Sequence, residues 1–179
     1  MRYLSVLAII TAAALTGFVG KDLFLRKNAD KIQWLTWEQA VELNRSHPKK
    51  ILIDVYTDWS GWNKRMDAGV FTRPEISRYI NENFYPVKLN AEQREPIFFG
   101  KDTFSFVETG KGRGINAFAN TLLNGKMNYP ALVYLDENYR RILVSPGYKE
   151  SEALMVELQF SHENHWKTQS WEFYKRGNP

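Results

Sequence analysis

Apolar residues recur at two spacings along this chain, and the switches between them mark its elements. After Thr36 the spacing is helical: Trp37, Ala40 and Val41 share one face. Thr36-Trp-Glu-Gln39 reads as a capping box, the threonine hydroxyl accepting from an early helix amide while Gln39 reaches back, and His47-Pro48 stops the helix. Ile51 to Thr57, bounded by Lys49-Lys50, is nearly continuous in apolar residues, as a central strand covered on both faces would be. A second helix is predicted over 60–68. Thr72-Arg-Pro-Glu75 opens a third, with Pro74 in the first turn where its missing N–H is harmless. Phe84 to Asn90 is the next strand, and Pro86 predicts an irregular start to it. Ile97-Phe-Phe99 and Thr103-Phe-Ser-Phe106, separated by Gly100-Lys-Asp102, read as an inserted hairpin. A helix over 115–123, strands over 130–135 and 140–145 and a helix over 152–160 complete the domain. The order β-α-β then β-β-α around one sheet predicts an α/β sandwich.

The two ends have other patterns. Met1-Arg-Tyr precedes an uncharged apolar run from Leu4 to Gly20, the outline of an export signal. Phe18-Val-Gly20 and Leu15-Thr-Gly17 each place a bulky residue at the outer cleavage position, which favours retention as a membrane anchor. The run is slightly short of the ~20 residues that comfortably span a bilayer. Lys21, Arg26, Lys27 and Lys31 behind it weaken the charge argument for export of the folded domain, yet export to the periplasm, free or membrane-anchored, is the expectation. The predicted division is a signal or anchor at 1–20, a polar spacer at 21–30, one folded domain at 31–160 and a C-terminal extension at 161–179. That extension should pack back through Trp166, Trp171, Phe173 and Tyr174.

Composition narrows the chemistry. The chain has 179 residues, enough for one domain with a real core, and a formal charge of +4 without a basic block, which argues against nucleic acid as a partner. It contains no cysteine. Lipidation through an N-terminal cysteine, disulfide staples and dithiol exchange are thereby all excluded, since serine and asparagine supply no thiolate.

Ile51-Leu-Ile-Asp-Val-Tyr-Thr-Asp-Trp-Ser-Gly-Trp-Asn-Lys64 resembles the active-site region of thioredoxin superfamily proteins, where an apolar strand and an acid precede W-C-x-x-C-K. Trp59, Gly61, Lys64 and the acid Asp54 match; Ser60 and Asn63 stand where the family carries cysteines. Asn128-Tyr-Pro-Ala-Leu-Val-Tyr-Leu-Asp136 looks like the family's cis-proline loop and strand, with the proline at Pro130. The resemblance spans about Trp34 to Phe160 and implies a thioredoxin-like fold: a central mixed sheet flanked by helices, here with an inserted hairpin and a C-terminal extension. It also implies that Tyr129, before the proline, presents backbone groups to an extended peptide. With Trp59, Gly61 and Trp62 nearby, that rim suits β-augmentation; the plainer account is that the two tryptophans shield a helix start.

Several residues admit two roles. Ser60 is a natural N-cap, and a nucleophile only if His47, His162 or His165 lies within reach of its hydroxyl. Asn63 has an amide free to bond Ser60, water or a bound peptide. Asp54 is a lone acid in an apolar strand, whose pKa burial would raise unless a cation such as Lys64 or Lys88 pairs with it. His162 and His165 lack the third ligand of a zinc site. Gly110-Lys-Gly-Arg-Gly114 lacks the ending of a phosphate loop and reads as a mobile connection. Phe98, Phe99, Phe104 and Phe106 read as local core. The expectation is therefore a redox-inactive module that binds protein segments without cofactor or metal, as an accessory subunit or chaperone-like. The alternative is a thiol-disulfide oxidoreductase whose native gene encodes cysteine at positions 60 and 63, serine and asparagine having been introduced there by engineered substitution.

Overall fold

A computed structural model of the chain describes residues 31–110 and 112–178. The apolar run at 1–20 and the spacer at 21–30 lie outside the described residues. Among those described, no helix is long and apolar enough to cross a membrane.

Helix α1 (Trp37–Ser46) begins at a complete capping box: Gln39 N–H donates to Thr36 Oγ1 at 3.3 Å and Thr36 N–H to Gln39 Oε1 at 2.9 Å. Strand β1 (Lys50–Tyr56) runs into α2 (Gly61–Arg65), which continues as a single π turn over Met66–Val70. The helix predicted to end at 68 thus reaches Val70 with a changed register. Helix α3 (Pro74–Asn83) leads directly into β2 (Phe84–Asn90). After the insertion come β7 (Ala131–Leu135), β8 (Arg141–Pro146) and α5 (Ser151–His162).

The four long strands form one mixed sheet in the order β2-β1-β7-β8, with β1 parallel to β2 and antiparallel to β7. β2 is regular through Pro86, contrary to the irregular start predicted for it. The carbonyl of Pro86 points outward and accepts from Leu35 N–H at 2.8 Å. A residue's N–H shares the direction of its C=O, so the missing donor would also have pointed outward and the β1 ladder loses nothing.

Alternation along β1 divides the core. Ile51, Ile53 and Val55 pack on one face with Trp37, Ala40, Phe118 and Leu122. Leu52 packs on the other with Met66, Ile76, Ile80, Leu132, Tyr134 and Leu158. Each valine, leucine, isoleucine, phenylalanine or methionine among them, fully buried, contributes roughly 1.5–3 kcal/mol. Asp54 is on the second face, and its cross-strand neighbour on β2 is Lys88.

The insertion contains two hairpins where one was predicted. β3 (Ile97–Phe99) pairs with β4 (Asp102–Phe104), and Phe106 belongs to a second ribbon, β5 (Phe106–Gly110) with β6 (Arg113–Asn116). The glycine-rich stretch 110–114 therefore includes the end of one strand and the start of its return. Gly114 is required there, because the Phe106 ring and the Val107 carbonyl occupy the space a Cβ would take. Phe99 and Phe104 pack on Trp37 and Phe118, both at 5.1 Å between ring centres, whereas Phe98 faces outward. Helix α4 is shorter than predicted, Ala117–Leu122, with Asn116 as its cap. In the C-terminal extension a 3-10 turn (His165–Lys167) precedes α6 (Trp171–Gly177). Trp171 and Tyr174 pack on Phe160, each at 5.2 Å, but Phe173 points away and is 62% exposed, so it takes no part in that packing.

Candidate functional site

Three stretches of chain meet at the end of the sheet where β1 gives way to α2. The first is the turn 57–63. Ser60 is 5% exposed, and its hydroxyl accepts from Asn63 N–H at 3.4 Å as the N-cap of α2. Asn63 is 2% exposed and its side-chain Oδ1 accepts from Thr57 N–H at 3.4 Å. Its amide faces the interior, which removes it from the bound-peptide role the sequence allowed. Trp59 and Trp62, flanking the cap, are 66% and 54% exposed. Gly61 lies between them with open space where a Cβ would stand.

The second stretch is the loop before β7, where the Tyr129–Pro130 peptide bond is cis. Tyr129 meets Trp59 edge to face at 6.1 Å. Neither its backbone N–H nor its C=O has a partner among the described residues. Half-burial, with Glu92 nearby, pushes the Tyr129 phenol up to about 12, so it stays neutral at ordinary pH. The third stretch comes after β8. Gly147 N–H donates to Pro130 O at 2.7 Å, and this tie brings Tyr148 to within 5.4 Å of the Trp62 ring. Gly147 has φ of +86°, a conformation that favours glycine.

Beneath this rim, Asp54 is fully buried. Its Oδ2 accepts from Lys88 Nζ at 2.6 Å, and the same ammonium donates to Asp67 Oδ1. Of the two lysines considered from the sequence, Lys88 is the partner, because the parallel register of β1 and β2 sets it opposite Asp54. The rings of Trp34, Tyr56 and Phe71 surround the ammonium at 5.0, 5.0 and 5.4 Å. Burial outweighs the attraction of Lys88 and pushes the Asp54 carboxyl up to about 6. Trp34, Asp67, Phe71 and Lys88 line a cleft of about 550 Å³ beside the site.

A family model named Thioredox_DsbH, described as a protein of unknown function, DUF255, matches residues 20–141. The chain belongs to this family. Solved structures similar to this DUF255 member share its fold at low identity. A candidate disulphide-isomerase from Bacteroides thetaiotaomicron is 18% identical, with 78% of this chain and 97% of that one covered and a TM-score of 0.55. A thioredoxin-fold protein from Helicobacter pylori is 16% identical, with 73% and 80% covered and a TM-score of 0.52. A DsbH oxidoreductase, also 16% identical, covers 74% and 85% at 0.50. A comparison with curated proteins gives no match.

The fold of this DUF255 chain is thus the thioredoxin-like fold, and Ser60, Asn63, Asp54 and Pro130 gather at one end of its sheet. The histidines lie elsewhere. His162 faces Tyr79 at 3.3 Å, His165 stacks on Tyr174 at 4.7 Å and His47 contacts Ser46 at 3.0 Å. None is bonded to Ser60, so the requirement of a hydrolase is unmet. Sequence reasoning missed Tyr148, Arg65, Glu92 and Asp67. Pro146-Gly147 is a turn dipeptide that could have flagged Tyr148 as a loop aromatic; no local signal marks the others.

Proposed function

We propose that this DUF255 domain binds extended protein segments on the rim formed by Trp59, Gly61, Trp62, Tyr129 and Pro130, without dithiol exchange, as an accessory or chaperone-like module of the cell envelope. One observation carries the reading. At the place where a thioredoxin fold gathers its reactive turn and cis-proline loop, both thiol positions are filled by inward-turned residues that cap and brace a helix, while the rim around them stays aromatic and open. Exposed aromatic area beside an unpaired N–H and C=O at Tyr129 is the pairing that strand addition uses: main-chain bonds hold the segment and ring faces cover its side chains. Gly61 leaves room for an incoming backbone. The envelope assignment rests on the apolar run from Leu4 to Gly20, which reads as an export signal or anchor.

Two measurements test it. The purified full chain should show no insulin reduction above background with dithiothreitol as reductant; turnover would refute the loss of redox function. A photo-crosslinker placed at position 62 in cells should trap discrete envelope proteins. Those adducts should weaken at least severalfold in the Tyr129→Ala background, while a crosslinker at Glu38, on the far helix α1, should not give them. Identical adducts from both positions would sink the binding proposal.

A further inference from the structure

The rim is electrically lopsided. Arg65, one turn beyond the Ser60 cap, is well exposed, and its guanidinium carbon sits 5.6 Å from the Trp62 ring centre and 5.0 Å from that of Tyr148. Its nearest carboxylate among the described residues is Glu150, at 4.0 Å, with both side chains more than half exposed. A pair so long and so wet contributes at most about 1 kcal/mol and leaves the N–H fork of the guanidinium unspent. Two ring faces hold the cation in place by cation–π attraction without using those donors. The opposite end, at Trp59, is acidic. Glu92 accepts from Trp59 Nε1 and Asp58 from Asn90 Nδ2, both at 3.0 Å, which fixes two carboxylates beside the Trp59–Tyr129 pair.

We infer that the segment bound on this rim carries an aspartate or glutamate that pairs with Arg65 while its backbone lies along Tyr129. This rests on the binding reading above and adds the charge of the ligand and its direction. A pre-positioned guanidinium takes a carboxylate through two parallel N–H bonds, an arrangement an ammonium cannot copy. A segment laid the other way would put its acid beside Asp58 and Glu92, where like charges oppose it, so the rim selects one orientation.

The experiment is a selection from a random twelve-residue peptide library on the immobilised full chain, followed by fluorescence anisotropy on the selected peptides. One register position should be enriched in Asp and Glu. Changing that acid to its amide should weaken binding about tenfold or more, the size of one charge-assisted pair. Arg65→Gln should lower affinity by a similar factor and make the acid-to-amide change nearly silent, a coupling that a purely structural role for Arg65 would not produce. Arg65→Lys should recover only part of the loss. Selected peptides without an acidic preference, or with the same preference on Arg65→Gln, would overturn the charge assignment while leaving segment binding standing. No enrichment over a Trp62→Ala, Tyr129→Ala double variant would overturn both.

Discussion

The underside and the rim of the α2 start are built from interleaved residues, yet they obey opposite rules. On the underside, Asp54, Thr57, Ser60 and Asn63 are all buried: Ser60 Oγ and Asn63 Oδ1 accept from backbone N–H groups and Asp54 Oδ2 accepts from Lys88, while Asp54 Oδ1, Thr57 Oγ1 and Asn63 Nδ2 have no partner among the described residues. The bonds that are made serve the fold: a cap, a brace across the turn and an ion pair between strands. On the rim, Trp59 and Trp62 are mostly exposed, with Tyr129 and Tyr148 against them. Folding gains little from aromatic area left in water, and single exposed aromatics are ordinary; here two ring pairs flank backbone groups that have no partner among the described residues, and that grouping supports the binding proposed above. Ser60 and Asn63 thus face inward at the helix start, and the rings of Trp59 and Trp62 beside them face outward.

The sharpest way to break this contrast is to strip the underside of its cation. Lys88→Met would leave Asp54 buried opposite a methyl group, with Asp67 close by. Removing one partner of a buried pair costs about 3–5 kcal/mol, and partial solvent access to Lys88 places the loss near the lower end, about 3 kcal/mol by urea denaturation at neutral pH. Lys88→Met with Asp54→Leu should return most of it. A loss below about 1 kcal/mol for the single variant would mean that the pair is not integral to the fold.

Next comes the pH dependence of the same carboxyl. Its folded pKa, about 6, lies above the roughly 3.9 of an unfolded aspartate. The folded state therefore holds the proton more tightly, so this group's contribution to stability is full below about pH 4 and is lost as pH rises through 6. The difference corresponds to roughly 2–3 kcal/mol. Stability of the parent relative to Asp54→Asn should fall by that order between pH 4 and pH 7.5; a parallel pair of curves would contradict the burial argument.

How far these features were legible depends on how local their causes are. The capping box at Thr36 and the cap at Ser60 each lie within four residues, and both were readable. The nearly continuous apolar run of β1 marked Asp54 as the odd residue, but the choice between Lys64 and Lys88 waited on the register of β1 against β2, which no local pattern encodes. The second ribbon was missed for a similar reason: Gly110 to Gly114 reads as loose until Phe106, from the facing strand, covers Gly114. Tyr148 meets Trp62 from a loop that the Gly147–Pro130 bond and the Ala131–Pro146 pairing hold beside the cis-proline turn. The rim is assembled from tertiary contacts, and its charge asymmetry, set by Arg65 at one end and Asp58 and Glu92 at the other, appears only when the three stretches are together.

A smaller effect separates capping from catalysis at Ser60. Ser60→Ala should cost about 1 kcal/mol, the usual loss when a helix start surrenders its side-chain acceptor, while Ser60→Asp should restore much of it. Both should leave crosslinking from position 62 intact. Abolished adducts in a stably folded Ser60→Ala would move this serine from the underside to the rim.

The smallest stability effect belongs to the rim itself. Trp62→Ala removes a ring that is mostly in water and loses the contacts to Tyr148 and Arg65, so stability should change by no more than about 0.5 kcal/mol, the range of ordinary surface substitutions. Segment binding should nevertheless drop at least tenfold, as truncating an aromatic anchor does. The opposite outcome, a loss above about 2 kcal/mol with binding unchanged, would assign the tryptophan to shielding the helix start, and the distinction between the two sides of α2 would disappear.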